Sequence, residues 1–429
     1  MSNSSAKSPD DDAKAQKTRS PFERFRTLEQ ARPALQQLDT DVLATAWRQT
    51  IDDFLAAEPD SQLDRLRDAL AAQARLSRPC LDASLDVVLQ GVRSDAALDI
   101  FEQARHLKAG EAPALVILAS NIPGLAVQSL LPALALRRPL LIKTASAEPL
   151  FTPVFLDALA TRVPVLRSAY AALSWAGGTR AIEAPLIEAA GRVIAYGDAD
   201  TLADLQNRAG SKLVEFGPKI SLGLIGRQAI ASDDQLSRVA SGLARDVALF
   251  DQRGCLSVQV VLTDGNTDNL AAALGRALGE LAEHWPMGRD DSSASAARQA
   301  RDEAIMRGAH VAEMPMSAGT VILEPFAESD VEPEVEPGGV EAGGEVRLRP
   351  SPGRRLVRIY RVSCLEQAIE QLEVWRGSIQ GVSLLGVPES ISEALRGLGV
   401  SRMAKPGTLQ ETDVATWHNG GLAPLEAYL

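Results

Sequence analysis

Apolar and polar segments alternate in regular blocks through the middle of the chain. An uninterrupted apolar run at 114–119 is followed by a helical segment at 125–136 and by a second apolar run at 139–143. Such short runs, bounded by turn residues, are typical of buried parallel strands. Further strands are predicted at 171–175 and 192–196. The pattern therefore predicts a doubly wound α/β sheet, which binds ligands at the carboxyl ends of its strands.

The second half of the chain repeats this pattern. Strands are predicted at 221–225, 258–262, 319–323, 356–362 and 381–385, with helical segments between several of them. Parallel strands need such crossover segments between them. We therefore predict an α/β fold with two doubly wound lobes.

The chain begins with helices rather than with strands. Apolar residues recur at three- and four-residue spacing over 21–108, whereas residues 1–20 are polar, and we expect a disordered tail there. No apolar window is long enough for a membrane span, and the tail lacks the apolar core of a secretion signal. We assign N-terminal helices and a dinucleotide-binding lobe to 21–215, a catalytic lobe to 216–405 and a C-terminal tail to 406–429.

An acidic segment, at about 327–346, interrupts the second lobe. It is rich in glutamate, proline and glycine, so we expect a solvated loop. The whole chain of 429 residues has a net charge of −12. This charge argues against binding to nucleic acid or to a membrane surface, because both need a basic face. The three cysteines are far apart and form no metal-binding motif, which indicates a reducing, cytoplasmic setting without a metal site.

One cysteine has the surroundings of a nucleophile. Cys255 follows Gly254, between a helical segment that ends near Leu249 and the apolar run that begins at Val258. A cysteine at such a junction can be accessible, and Arg253 together with backbone amides could stabilise its thiolate. The alternative is an inert core cysteine, which is the commoner fate of this residue type.

Four other residues directly follow predicted strands of the first lobe: Asn121, Lys143, Gly177 and Gly197. The carboxyl ends of parallel strands share one edge of a sheet, so these positions are candidates for ligand contacts. Taken alone, Asn121 could simply belong to a turn and Lys143 could be an ordinary surface lysine.

In their order along the chain, these segments resemble the aldehyde dehydrogenase superfamily, most closely its LuxC-type branch, the fatty acyl-CoA reductases. Residues 110–265 carry most of the resemblance, 356–386 a weaker part, and 1–100 are similar only in being helical. The resemblance implies an aldehyde-dehydrogenase-like α/β fold. We also expect a homo-oligomer.

The resemblance implies three catalytic residues. Asn121, in Asn-Ile-Pro, is similar to the family asparagine whose amide stabilises the oxyanion, an effect worth about 3–4 kcal/mol. Glu215, in Glu-Phe-Gly-Pro-Lys, is similar to a glutamate that activates water in aldehyde-oxidising members. Cys255 takes the nucleophile's place, although its surroundings depart from the common Gly-Gln-x-Cys. Without the resemblance, Glu215 would be a surface carboxylate.

The resemblance also implies a nicotinamide cofactor. Lys143 is similar to a lysine that contacts the adenosine ribose, and Ser146 stands where many NAD-using members have a glutamate. A serine does not repel a 2′-phosphate, so we predict NADPH. Asp198 replaces a family serine, which suits a dinucleotide only if the carboxylate points away or caps a helix. The predicted cofactor-binding residues are Lys143, Ser146, Trp175, Gly177, Gly197 and Asp198.

We therefore predict NADPH-dependent reduction of an acyl-CoA, or another acyl thioester, to an aldehyde through an acyl-Cys255 intermediate. For Glu215 we favour proton donation to the departing thiolate, which requires burial near Phe216. Two alternatives remain. One is an aldehyde dehydrogenase that oxidises aldehyde to acid; the other is a non-catalytic member of the fold, which the departures at Asp198 and around Gly353 suggest.

Overall fold

A computed structural model describes residues 20–118, 122–312, 314–315, 317–325, 348–414 and 416–429. The predicted tail up to residue 19, the predicted catalytic Asn121 and the acidic segment lie outside the described residues.

The described helices, in chain order, are α1 (Pro21–Gln30), α2 (Arg32–Gln36), α3 (Thr40–Leu55), α4 (Gln62–Ala74), α5 (Arg78–Gln90), α6 (Asp95–Ala104), α7 (Ala126–Ala135), α8 (Phe151–Arg162), α9 (Leu166–Ala169), α10 (Arg180–Ala189), α11 (Ala199–Ala209), α12 (Asp233–Ala248), α13 (Thr267–His284), α14 (Asp291–Met306), α15 (Leu365–Leu372) and α16 (Glu389–Gly397). No helix within these ranges is long and apolar enough to cross a membrane.

The described strands are β1 (Ala114–Ile117), β2 (Leu140–Lys143), β3 (Tyr170–Leu173), β4 (Arg192–Tyr196), β5 (Leu213–Phe216), β6 (Ile220–Ile225), β7 (Val258–Thr263), β8 (His310–Val311), β9 (Thr320–Leu323), β10 (Leu356–Arg361), β11 (Ile379–Leu385) and β12 (Arg402–Ala404). They belong to two compact units. The first unit runs up to residue 57 and includes 92–217 and 424–429, and the second comprises 58–91 and 218–423.

The first unit contains a five-stranded sheet in which every neighbouring pair is parallel. Its strand order is β3-β2-β1-β4-β5, so the direction of winding changes between β1 and β4. Ile117, at the end of β1, is paired with both Lys143 and Ala195. In sheets of this kind the carboxyl ends of the strands around the change of direction form the ligand site. The doubly wound topology predicted for this lobe is therefore present.

Helices pack on this sheet through continuous apolar faces. Leu115, Leu141 and Val193 of the strands share one core cluster with Leu186 of α10 and Leu202 of α11. All five side chains are at most 5% exposed. Burial of a leucine or valine side chain contributes about 1.5–3 kcal/mol, so this cluster holds the strand ends in place.

The second unit contains a seven-stranded sheet of order β12-β11-β6-β7-β10-β9-β8. All neighbours are parallel except β8 and β9, so one edge is antiparallel. Helices α12 and α13 cover one face, where Leu243 and Leu274 pack with Val258 and Val261 of β7. Strand β7 is central in this sheet, and the segment before it carries Cys255.

Several elements were not predicted. Helix α14 contributes only Ala297 and Ala304 as buried residues, so its sequence has a weak apolar period. Strand β5 is half-buried to exposed along its length, unlike the buried apolar runs of its neighbours. Strands β8 and β12 have two and three residues, too few for an alternating pattern.

Candidate active site

The segment before Cys255 is a strained turn. Phe250, Asp251 and Gln252 have φ values of 53°, 51° and 67°, three consecutive non-glycine residues in the left-handed region. Each such residue costs of the order of 1 kcal/mol and persists only where its surroundings enforce it. Cys255 follows this turn as a half-buried residue. Backbone strain of this kind clusters at functional sites, which favours a role for the turn.

Buried polar contacts hold the turn in its conformation. The backbone N–H of Phe250 donates to Ser84 Oγ at 2.9 Å. The side-chain amide of Gln252 donates to the carbonyl oxygens of Val258 and Leu356 at 2.7 and 2.8 Å, which ties the turn to β7 and β10. These contacts satisfy groups that would otherwise be costly to bury, so they offset the strain.

Asp251 makes the most buried of these contacts. Its Oδ1 lies 2.7 Å from Nη2 of Arg355, whose side chain is fully buried, and its Oδ2 accepts the N–H of Gly288 at 2.8 Å. The Sγ of Cys80 lies 3.8 Å from the same carboxylate, and burial raises the pKa of the Cys80 thiol. Cys80 is therefore an inert core cysteine, while Cys364 is exposed before α15.

The electrostatic surroundings of Cys255 differ from the expectation. Burial raises the pKa of its thiol to about 11, whereas its own backbone N–H, that of Leu256 and the positive charge of Lys219 act in the opposite direction. Arg253, which we expected to stabilise the thiolate, instead directs its guanidinium to the carbonyl oxygens of Ala74 and Arg75. Desolvation exceeds the stabilising contacts here, because an anion loses more hydration than these contacts restore.

The backbone of Cys255 is also fixed from the neighbouring strand. Ser221 of β6 is fully buried, and its hydroxyl donates to the Cys255 carbonyl oxygen at 2.7 Å. The carbonyl is thus held in place, so the adjoining side chain has a defined position next to β7.

In the first unit, Lys143 and Trp175 come together at the carboxyl ends of β2 and β3. The Lys143 ammonium lies 5.9 Å from the centre of the Trp175 ring, and Lys143 is only 6% exposed. Burial lowers its pKa, and the negative charge of Glu183 partly offsets that effect. Within the described part of the chain, no hydrogen bond or ion pair engages this ammonium. A buried lysine whose ammonium has no hydrogen-bond partner among the described residues fits a site for a polar ligand.

Glu183, on α10, organises the loop beside this lysine and was not predicted. Its Oε1 accepts hydrogen bonds from Trp175 Nε1 at 3.3 Å and from the Gly178 N–H at 3.2 Å. Its Oε2 lies 2.9 Å from Nη2 of Arg208. The glutamate therefore fixes both the tryptophan and the glycine loop. No sequence signal marked it, since its role depends on packing between helix and loop.

Ser146 and Glu148 follow β2 in one tight turn, closed by a bridge between Ala145 and Glu148. Ser146 is exposed, as a residue that contacts a ligand must be. Glu148 is buried, and it accepts the backbone N–H groups of Leu150 and Phe151 at 3.0 and 2.7 Å. Burial raises the pKa of Glu148 to about 7. Ser146 thus sits on a turn whose conformation depends on a buried carboxyl group.

The remaining predicted cofactor residues line the same sheet edge. Gly177 is exposed, and a Cβ added there would meet no atom within 4 Å. Gly197 directly follows β4, and Asp198 caps α11 by accepting the N–H of Thr201 at 2.8 Å. That hydrogen bond lowers the pKa of Asp198. The Asp198 carboxylate therefore caps the helix. This is one of the two arrangements that we expected to be compatible with a bound dinucleotide.

Glu215 lies on β5 in the first unit, and its side chain is exposed. Proton donation at neutral pH would require a buried carboxyl group, so its surroundings do not provide what that role needs. Tyr196 and Phe216 stack next to it, with ring centroids 4.8 Å apart. Among the described residues, no cluster of His, Cys, Asp and Glu could hold a metal ion.

Two curated relatives carry similar names. Long-chain acyl-protein thioester reductase 2 of Photobacterium leiognathi is 30% identical over 173 residues, which cover 37% of this chain and 34% of that protein. The long-chain acyl-protein thioester reductase of Photorhabdus laumondii is 24% identical over 320 residues, 72% of this chain and 61% of that protein. The matched part thus spans less than two thirds of either relative.

Solved structures with a similar fold are aldehyde dehydrogenases and related enzymes. Aldehyde dehydrogenase 21 of Physcomitrella patens has a TM-score of 0.71 at 14% identity, covering 94% of this chain and 88% of that one. An NADP-dependent enzyme of E. coli has a TM-score of 0.70 at 14% identity, covering 95% and 88%. The predicted aldehyde-dehydrogenase-like fold is therefore confirmed.

The family comparison covers almost the whole chain. The model of the family described as acyl-CoA reductase (LuxC) matches residues 40–427. This match agrees with the predicted resemblance to the LuxC-type branch. This chain therefore belongs to the acyl-CoA reductase (LuxC) family.

Proposed function

We propose that this protein reduces a fatty acyl thioester, such as an acyl-CoA, to an aldehyde with NADPH, through a covalent acyl-Cys255 intermediate. Its family and the names of its relatives support the reaction class. The observation that carries the assignment is the strained, buried turn Phe250–Gln252, which precedes Cys255. Backbone strain of this kind is retained where it positions a reactive group.

The chain's residues then have the following roles. The Cys255 sulfur forms a bond to the thioester carbonyl carbon and the carbon–sulfur bond to the carrier breaks, so that the proton lost by the Cys255 thiol balances the proton gained by the departing carrier thiolate. The backbone N–H groups of Cys255 and Leu256, together with the Asn121 amide that the family resemblance implies, would stabilise the oxyanion. A bound nicotinamide cofactor supplies the hydride that reduces the acyl group. Collapse of the resulting hemithioacetal breaks the bond to Cys255 and frees the aldehyde.

Lys143 and its neighbours fit the adenosine end of that cofactor. Lys143 is buried next to Trp175, and its ammonium, which has no hydrogen-bond partner among the described residues, would donate to ribose hydroxyl groups. Trp175 and the Gly177 loop are held by Glu183, so they present a rigid wall. Ser146 is exposed and uncharged, which suits a 2′-phosphate better than a glutamate would. NADPH is therefore the cofactor that we propose.

The test is a reduction assay with mass spectrometry. Wild-type protein, an acyl-CoA and NADPH should yield an aldehyde, and without NADPH the intact mass should increase by one acyl group. Cys255→Ala should abolish both results, because it removes the proposed acyl acceptor. Cys364→Ala is the matched control and should retain activity, since that thiol is exposed and remote in sequence. If Cys364→Ala abolished the reaction and Cys255→Ala did not, the assignment would be wrong.

The oxidative alternative is tested with the same protein. In that alternative Glu215 would be the water-activating base, and its exposed side chain is accessible to water. Free aldehyde with NADP⁺ would then yield a free acid, and Glu215→Gln would abolish this product. We instead expect Glu215→Gln to leave the hydrolysis of acyl-Cys255 without cofactor nearly unchanged. A collapse of that hydrolysis would move the assignment to aldehyde oxidation.

We further propose that the protein acts in the cytoplasm as a homo-oligomer. The three cysteines, Cys80, Cys255 and Cys364, are all free thiols, which suits a reducing compartment. Light scattering on a size-exclusion column would test the oligomeric state, and a monomeric mass at working concentration would contradict it.

A further inference from the structure

A pocket with three arginines lies in the second unit, apart from the thiol. Its volume is about 230 Å³, and Arg298, Arg301 and Arg354 line it together with Thr320 and Ser317. The remaining lining residues, Ala294 and Ala297, have methyl side chains. The positive side chains thus converge on a space large enough for a small anionic group.

The pocket is formed by one face of α14. Ala294, Ala297, Arg298 and Arg301 recur at three- and four-residue spacing, so they project from the same side of the helix. This spacing normally places large apolar residues against the core. Here two alanines leave the space open and two arginines line it, which explains why the helix was not predicted from its apolar pattern.

Two of the arginines have no carboxylate partner among the described residues. Arg298 makes one weak hydrogen bond, to Ser295 Oγ at 3.4 Å. Arg354 donates to the carbonyl oxygens of Gly288 and Asp290 at 3.2 and 3.3 Å. The Asp290 carboxylate is itself engaged by Ser292 and lies near Arg75. In a chain with a net charge of −12, these two guanidinium groups, without carboxylate partners among the described residues, are available to an external anion.

Arg354 is held by a second strained turn. Gly353, Arg354 and Arg355 have φ values of 91°, 60° and 56°, again three consecutive residues in the left-handed region. Arg355 is fully buried and pairs with Asp251, whereas Arg354 lines the pocket. The two strained turns are thus joined by one ion pair. The turn that aims Arg354 at the pocket is therefore also in contact with the turn that precedes the nucleophile.

The pocket and Cys255 lie at the same edge of the second sheet. Thr320 begins β9 and pairs with Leu356, which begins β10, and β10 in turn pairs with β7. Neighbouring strands are about 4.8 Å apart, so the pocket's strand lies about 10 Å from β7. Cys255 precedes β7 by one short segment. The pocket is thus close to the thiol without being part of its immediate surroundings.

We infer that this pocket binds a phosphate group of the thioester's carrier, an inference that rests on the proposed function. In coenzyme A, or in a carrier bearing phosphopantetheine, the phosphate is separated from the sulfur by the pantetheine arm. A phosphate site must therefore lie away from the nucleophile yet within reach of it, as this pocket does. Arginine is suited to phosphate because its planar guanidinium donates two parallel hydrogen bonds.

The experiment compares three thioesters with the same acyl chain: acyl-CoA, acyl-4′-phosphopantetheine and acyl-pantetheine, which has no phosphate. The double variant Arg298→Gln/Arg301→Gln should raise KM for the phosphate-bearing substrates about tenfold or more and leave kcat unchanged. KM for acyl-pantetheine should stay within about twofold of the wild-type value. The matched control is Arg238→Gln, an exposed arginine on α12 that should change none of these values.

The three substrates also identify the phosphate. An effect on both phosphate-bearing substrates assigns the pocket to the phosphate of the arm, and an effect on acyl-CoA alone assigns it to the nucleotide phosphates. Equal changes for all three substrates, or no change for any, would overturn the inference. Calorimetric titration of coenzyme A provides a readout that is independent of turnover. If the double variant were active and bound coenzyme A as tightly as the wild type, the phosphate site would be refuted but the proposed reaction would stand. If the double variant bound coenzyme A more weakly but the wild type showed no reductase activity, the proposed reaction would be refuted but the phosphate site would stand.

Discussion

Asp251 and Arg355 form an ion pair in which the side chains are 4% and 0% exposed, with 2.7 Å between Oδ1 and Nη2. Asp251 belongs to the strained turn before Cys255, and Arg355 belongs to the strained turn before β10. The pair therefore connects two segments that are each unfavourable on their own. The ion pair keeps the two turns in their observed conformations. It adds little net free energy of folding, because the cost of burying two charges offsets their attraction.

Replacing Arg355 by methionine should be strongly destabilising. The Asp251 carboxylate would remain buried without its counter-charge, which costs about 3–5 kcal/mol. Urea denaturation measures the loss. The matched control is Arg227→Met, because Arg227 pairs with Asp264 at the same distance of 2.7 Å but is 61% exposed. That change should cost less than about 1 kcal/mol. Similar losses for the two variants would contradict a special role for the buried pair.

The pH dependence of Cys255 alkylation follows from its raised pKa. With a pKa of about 11, the thiolate fraction is small at neutral pH and increases about tenfold per pH unit. Labelling of Cys255 by iodoacetamide, quantified by peptide mass spectrometry, should therefore accelerate continuously up to at least pH 10. The exposed Cys364 serves as an internal comparison in the same digest. A plateau of Cys255 labelling at pH 7–8 would show that the thiol is activated in the resting protein.

Lys219 should lower the barrier to forming this thiolate. Its positive charge acts against desolvation, so Lys219→Met should raise the Cys255 pKa further. At pH 8 we expect alkylation of Cys255 to slow by about two- to fivefold. Lys405→Met, which removes an exposed lysine of the same unit, should leave the rate unchanged. An unchanged rate in Lys219→Met would mean that its charge is screened by solvent.

Ser146 should determine the preference for NADPH. In Ser146→Glu the new carboxylate would face a 2′-phosphate, while it could still accept hydrogen bonds from the ribose hydroxyls of NADH. KM for NADPH should rise about tenfold or more, and KM for NADH should change by less than about twofold. Ser146→Ala adds no charge and should retain the NADPH preference. Equal effects of the glutamate on both cofactors would show that this position does not contact the 2′ group.

Asp246 should make the second unit less stable as pH rises. It is fully buried, accepts hydrogen bonds from Ser383, Gly407 and Leu409, and has a pKa raised to about 6 by burial. A raised carboxyl pKa means that the folded state favours the protonated form. Its stabilising contribution is therefore complete below the unfolded pKa, near 3.8, and is lost as pH rises through about 6.

The measurement compares wild type with Asp246→Asn, in which the side chain no longer titrates. The difference in free energy of unfolding between wild type and variant should change, to the disadvantage of the wild type, by roughly 2 kcal/mol between pH 4 and pH 7. Part of the difference in stability between the two proteins at pH 4 comes from the hydrogen bonds that Asp246 accepts, because the asparagine amide nitrogen cannot accept them. A difference that is constant over this range would show that Asp246 does not titrate there.

Much of the fold and part of the site could be predicted from local patterns. The apolar runs that became β1, β2 and β4 are separated by helical segments, so the parallel sheet and its ligand-binding edge followed from chain order. Lys143 and Gly197 are at that edge because Lys143 ends β2 and Gly197 directly follows β4. Whether a residue lies at the end of a strand depends only on its near neighbours in the chain, so it can be predicted from a single sequence.

Other features required contacts between distant segments. Glu183 holds Trp175 from a neighbouring helix, and nothing in the helix sequence separates it from a surface glutamate. The expected activation by Arg253 was wrong, because its guanidinium is engaged by carbonyl oxygens of the segment around Ala74. The direction in which a charge points, and the hydration that a thiol loses, depend on what packs against it.

By itself, the sequence determined the order of most strands and helices, the family motifs and the residues at the ends of the predicted strands, because these depend on spacing along the chain. Only the tertiary structure decided how those residues are held. Asp251 and Arg355 are far apart in sequence, and both are charged residues that would ordinarily be placed at the surface. Their burial follows from the packing of two turns against each other, and this long-range arrangement cannot be read from local spacing.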